Sequence, residues 1–221
     1  MESVLTNYFS SIAKKVLMSL TGLFLMVFLT EHLIGNLLLF ANDNGALYEA
    51  YGHFLVVNPV IRMVEVLLFV SVAVHAVLAT MLWWSNRQMR PVKYKKYRLK
   101  DNTPWWSRNT LLTGSIVFIF LVIHLRTFFV PIRIEGKSLS EYEMVVQAFA
   151  NPWYCGFYLL ALLLLGYHLR HGFQSAFQTL GLRNKTFTPI IDALAFVYWF
   201  IVPLMFATIP VYFYALQMGG H

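Results

Sequence analysis

Charge and cysteine are the two things this sequence has little of. Only 12% of its 221 residues are Asp, Glu, Lys or Arg, where a soluble domain carries about 25%. With 58% hydrophobic residues and a mean hydropathy of +0.61, that scarcity excludes a soluble globular protein. The one cysteine, Cys155, excludes an internal disulfide, and its apolar neighbours make it a small packing residue. No A-x-A cleavage pattern follows Lys14 and Lys15, so the first apolar run reads as a retained helix. No connection between apolar runs is long enough for a separate soluble domain. The chain therefore reads as a single transmembrane domain, 1–221.

With about 20 apolar residues needed per crossing, five spans are predicted, at 16–41, 60–84, 109–132, 152–178 and 190–216. They are designated I to V. Ordinary stop and start signals separate them: Asn42 to Gly45, Asn58-Pro59, Pro131, Asn151-Pro152 and Gly181. The predicted class is an all-α membrane protein. Five spans put the termini on opposite sides, and the distribution of Lys and Arg chooses between them. Of 17 such residues, only Arg62, Arg126, Arg133 and Lys137 fall on one side; the other 13 share the side of the N-terminus. The N-terminus is therefore expected in the cytoplasm. The basic stretch from Arg87 to Arg108 then forms a cytoplasmic surface, flanked by Trp83, Trp84, Trp105 and Trp106 as an interfacial belt. Such an excess of positive charge orients a membrane protein and attracts anionic lipid; no nucleic-acid partner is expected.

Histidines carry the chemical signal, because a titratable ring in hydrocarbon is costly. Of seven, His221 is a tail residue and His53 lies in the connection between I and II, leaving His32, His75, His124, His168 and His171 within spans. Depth sorts them into two levels. His32 lies 10 residues before Asn42 and His124 lies 9 before Arg133, whereas His75 is 16 after Pro59 and His168 is 16 after Pro152. The levels differ by roughly 10 Å at about 1.5 Å per residue. Two imidazoles at one depth on different helices are what a bis-histidine haem requires. The expected architecture is thus a bundle of I to IV enclosing two b haems, one held by His32 and His124, the other by His75 and His168. His171, three residues beyond His168, competes with it but fits the depth less well. A zinc or copper site is disfavoured because the four rings occupy two levels.

An internal similarity supports the pairing. Thr21-Gly22 precedes His32 by the same 11 residues with which Thr113-Gly114 precedes His124. Eleven residues are about three turns, which puts these pairs on the faces of their histidines but at the depth of the other haem. Gly22, Gly114 and Gly166 would there leave room for a macrocycle, or simply allow close helix packing.

The run Ser19 to Leu25 before Glu31-His32, the segment Val74 to Ala79 with His75, and Tyr167-His168-Leu169-Arg170-His171-Gly172 leading to Gly181 resemble the five-helix dihaem cytochrome b subunit of bacterial succinate dehydrogenases and fumarate reductases. The resemblance covers essentially the whole chain. It implies a multi-pass subunit of the bacterial inner membrane that anchors a flavoprotein subunit and an iron-sulfur subunit on the cytoplasmic side. It also implies electron transfer between the iron-sulfur subunit and a quinone, with menaquinone as the expected species. The ligand pairs it implies are those given by depth, with His32 and His124 on the distal haem and His75 and His168 on the proximal one. One departure is Gly166, which stands where some fumarate-reducing relatives have a membrane carboxylate.

A quinone takes protons as well as electrons, so its site needs a titratable group near water. Glu31, His53 and Glu49 are the candidates, with Glu65 and Arg126 nearby. Glu65 has an ordinary alternative in a pair with Arg62. Arg126 and Arg170 are the candidate cofactor-binding cations, Arg126 toward a propionate or the interface. Span V, with Pro203 and Pro210 and no histidine, is expected to be a kinked scaffold. Two other readings remain: a dihaem quinol cytochrome of another dehydrogenase, and a haem-free proton-coupled transporter using the same buried histidines.

Overall fold

The computed structural model describes residues 2–88, 109–137 and 140–219, with side chains from residue 11 onward. The basic surface between Arg90 and Arg108, Trp105, Trp106 and His221 lie outside the described residues. Among the described residues there is no strand. The elements are α1 (Glu2–Leu37), a 3₁₀ turn (Leu38–Phe40), α2 (Ala46–Val57), α3 (Pro59–Gln88), α4 (Thr110–His124), α5 (Val130–Arg133), α6 (Glu141–Phe149), α7 (Pro152–Thr179), α8 (Thr188–Phe196) and α9 (Val202–Gly219). A π turn, Leu125–Phe129, joins α4 to α5, and a second, Val197–Ile201, joins α8 to α9.

Five stretches are long and apolar enough to cross a membrane: Ser11–Phe40, Pro59–Gln88, Thr110–Arg133, Pro152–Thr179 and Thr188–Gly219. These are spans I to V, each within a few residues of its predicted limits except for the earlier start of span I. The chain is a multi-pass, all-α membrane protein.

Local chemistry explains the boundaries. Spans II and IV both open on Asn-Pro. The Asn58 side chain accepts from Val60 N–H at 3.0 Å, and that of Asn151 from Trp153 N–H at 2.9 Å. The proline that follows lacks an N–H in the first turn, where none would be bonded. Span IV ends at Gly181, whose φ of +73° closes the helix. Leu182 N–H reaches back to Phe177 O and Gly181 N–H to Gln178 O, satisfying the last carbonyls. The two π turns lie just before Pro131 and Pro203, each of which removes a backbone donor from the helical ladder.

Two elements correct the sequence reading. The connections from I to II and from III to IV are not plain loops, because each contains a helix, α2 and α6. His53 therefore sits on an interfacial helix. Helix α6 starts at Ser140, whose Oγ accepts from Glu143 N–H at 3.0 Å, the first half of a capping box.

Span IV is the centre of the bundle, packing along I, III and V; span II lies mainly on I. II and III meet at one end, where Phe69 packs edge-on to Phe129 with ring centres 5.3 Å apart. There Glu65 accepts from both Arg62 and Arg133 at 2.6 Å. The predicted pair with Arg62 is present, and the cross-helix partner is an addition. Large apolar side chains such as Val27, Ile34, Met63, Val66, Val122 and Leu160 face outward, as lipid-facing surface requires.

Where helices are solvated by lipid, close contact between small residues replaces the hydrophobic effect as the driving force. Gly166 is such a contact. A Cβ built on it would stand 2.6 Å from the Trp199 carbonyl oxygen of span V. Of its two expected roles, the structure assigns it helix packing.

Gly166→Ala is expected to destabilise the protein by about 1–3 kcal/mol through overpacking. Gly156→Ala on the same helix, which meets nothing within 4 Å, is expected to leave stability unchanged or slightly raised. Thermal unfolding of the two variants in detergent makes the comparison.

Candidate functional site

The four predicted histidines come together in two pairs. His32 of span I and His124 of span III have ring centres 5.7 Å apart with planes at 90°. His75 of span II and His168 of span IV have ring centres 6.3 Å apart with planes at 73°. The levels are distinct, and the Thr-Gly repeats join them as the 11-residue spacing predicts. A Cβ on Gly22 of span I would lie 3.2 Å from the His75 ring, and a Cβ on Gly114 of span III 3.2 Å from the His168 ring. Each repeat thus places a glycine against a ring of the other pair.

Individual partners fix three of the rings. Thr21 Oγ1 lies 3.2 Å from His75 Nδ1 and has backbone carbonyls of Leu17 and Met18 at 2.9 and 3.1 Å as targets for its own proton. With the Thr21 proton on either carbonyl, His75 donates from Nδ1 to Thr21. His124 Nδ1 lies 3.0 Å from the hydroxyl of Tyr158. His32 stacks on Phe28 at 5.4 Å and has Phe206 of span V at 5.7 Å, with the Asn36 amide 3.4 Å from Nδ1. His168 differs, since its Nδ1 is buried with no hydrogen-bond partner among the described residues. His171 makes no ring contact with either pair among the described residues.

The remaining candidates are spread more widely. Glu31, beside His32 in sequence, turns out of the bundle and accepts from the hydroxyl of Tyr51 on α2. Partial burial and the neighbouring Glu31 push the Tyr51 hydroxyl up to about 12, so it stays protonated as the donor. Gly35 lets the Tyr51 ring lie flat on span I, because a Cβ there would fall 2.6 Å from it. Glu49 on α2 is a clamp: it accepts from Ser140 Oγ at 2.6 Å and Tyr142 N–H at 2.9 Å, tying α2 to the start of α6. Glu141 packs on Gly52 nearby, and burial together with the charge of Glu49 raises its carboxyl above 4.5. His53 is exposed on α2 and is not brought to either pair. Arg126 is exposed and pairs with Glu135 at 3.2 Å. Arg170 stacks over Trp199, 4.8 Å from the ring centre.

The sequence reading missed Tyr154, Tyr158 and Thr127. Tyrosines four residues apart at the start of a span were the available signal, as they share one helical face. Among the described residues, no group of three or more His, Cys, Asp or Glu side chains is arranged to hold a metal ion.

Fold and site together define a five-span helical membrane protein with two histidine pairs set between its spans. The family model of the succinate dehydrogenase/fumarate reductase transmembrane subunit matches residues 85–204, more than half the chain, and the protein belongs to that family. No curated protein and no solved structure matches it.

A carboxyl whose proton affinity is raised by the fold has a definite pH signature. Between the ordinary value near 4.5 and the raised value, the folded state binds more protons at Glu141 than the unfolded state does. Stability contributed there is full below the window and is lost as pH rises through it. Glu141→Gln is expected to flatten that fall and to raise the melting temperature at neutral pH, as thermal unfolding across a pH series checks.

Proposed function

We infer from membership of the family that this chain is the membrane anchor subunit of a succinate dehydrogenase or fumarate reductase and associates with its catalytic subunits. We propose that it binds two b haems, His32 and His124 holding one and His75 and His168 the other, and carries electrons between the iron-sulfur subunit and a quinone. The observation that carries this reading is the spacing of the rings. With metal to nitrogen bonds of about 2 Å, two imidazoles on opposite sides of one metal have ring centres about 6 Å apart. The two pairs stand at 5.7 and 6.3 Å. The glycines beside two of the rings also suit a site built for a planar group rather than for interhelical hydrogen bonds.

Each haem, when bound, supplies a low-spin one-electron carrier with no open coordination position. The protein's part is to set the ligands at two depths, so that one pair serves each half of the membrane. His75 is held by Thr21 and His124 by Tyr158, while Phe28 and Phe206 wall in His32. By the positive-inside distribution, the N-terminus and the basic connection between II and III face the cytoplasm and the iron-sulfur subunit. The pair His32 and His124 then lies toward the outer surface, with α2 and α6 over it.

The quinone is assigned to that outer end. Glu49 is already engaged by two donors, which leaves exposed His53 and the Tyr51 to Glu31 couple as the groups able to exchange protons with it. Dicarboxylate chemistry belongs to the partner subunits, in either direction of turnover.

A dithionite-reduced minus oxidised spectrum with a pyridine haemochrome assay tests the core of the reading. Two b haems per chain are expected, one lost in His32→Ala or His124→Ala and the other in His75→Ala or His168→Ala. A purified protein without haem would overturn the proposal and favour a proton-coupled carrier.

A further inference from the structure

His124 sits at the head of a run of hydroxyls whose hydrogen-bond directions follow from the end anchored on a backbone carbonyl. At the far end Thr127 Oγ1 donates to the Ile123 carbonyl at 3.0 Å. Its proton is used there, so its oxygen receives the hydroxyl of Tyr154 at 2.9 Å. With the Tyr154 proton used in turn, the 3.1 Å contact between the two tyrosine hydroxyls requires Tyr158 to donate to Tyr154. Tyr158 then has only lone pairs to offer the nitrogen 3.0 Å away. His124 must donate from Nδ1, and the neutral ring keeps its other nitrogen, Nε2, bare. The backbone carbonyl at the end of the run takes the Thr127 proton and, having none of its own, favours this order of donors.

We infer that Tyr158, Tyr154 and Thr127 are positioning residues that lock His124 in the Nδ1–H tautomer and so present Nε2 as a ligand. This rests on the dihaem reading. Tyr158 is 6% exposed, so water does not compete for the bond. Donation from Nδ1 to an oxygen also makes an imidazole a more basic ligand, which favours the ferric over the ferrous state. The lock is therefore an electronic device as well as a geometric one. Thr21 gives His75 the same tautomer in a single link, through residues independent of the tyrosine run.

The test is a redox titration of the two b haems, followed by optical spectrum, in the purified protein and in four variants. Tyr158→Phe keeps the ring and removes the acceptor. It is expected to weaken haem retention at His32 and His124 about tenfold and to raise that haem's midpoint potential. A tenfold change in the preference for ferric over ferrous haem corresponds to about 59 mV. Tyr154→Phe and Thr127→Val touch neither histidine, yet each frees Tyr158 to turn its proton toward Nδ1. Both are expected to shift the same haem in the same direction, while Thr127→Ser, which keeps the hydroxyl, restores the parent value. The haem of His75 and His168 should not move and serves as the internal reference.

Two haems in the parent protein with unshifted potentials in Tyr154→Phe and Thr127→Val would overturn the lock and leave the dihaem reading standing. Equal shifts of both haems would also overturn it, since they would signal a general loosening of the bundle. A parent protein without haem would overturn the dihaem reading itself and the lock with it. Should Tyr158→Phe fail to assemble, the two remote variants decide the matter alone.

Discussion

Inside hydrocarbon a polar group has no water to fall back on, so each must find a protein partner or a ligand. Four imidazoles in one bundle make that constraint dominant. Thr21, Asn36 and Tyr158 each approach a histidine nitrogen, and the nitrogen left without a partner, His168 Nδ1, is pressed beside Gly114.

The same constraint gives span IV its central place. It carries His168, the two tyrosines that reach His124, and Gly166, which admits the carbonyl of Trp199. Span V, expected to be passive, contributes more than a scaffold. Its π turn precedes Pro203 and brings Trp199 against both Gly166 and Arg170, and Phe206 lies on the His32 ring. A proline without a donor and a glycine without a side chain are here two halves of one contact.

Much of this was legible in one dimension. Hydropathy located five spans because a membrane imposes a minimum length, and Asn-Pro and Gly marked their ends because caps are local. The histidine pairs were legible because depth along a straight helix is a count of residues. What escaped depends on the direction in which a helix faces. Nothing in the sequence says that the Tyr154 and Tyr158 face of span IV meets span III, or that Arg133 reaches Glu65 across 68 positions. Helices α2 and α6, of 12 and 9 residues, are too short for hydropathy to separate from loops, although the Ser140 to Glu143 spacing signalled the second. Gly166 was legible as a small residue in a crowded place, but not which neighbour crowded it.

The family match covers residues 85–204 and so contains His124 and His168 but neither His32 nor His75. Geometry pairs across that boundary: each ring inside the matched region faces one outside it. Spans I and II are consequently part of the site, since removing them would leave both levels with a single imidazole. The Thr-Gly repeat sharpens the point, because Gly22 serves His75 while Gly114 serves His168. Spans I and III thus play equivalent parts, each giving a ring at one level and a glycine at the other. Such equivalence is what two similar flat groups stacked along the membrane normal would demand of the helices on either side of them.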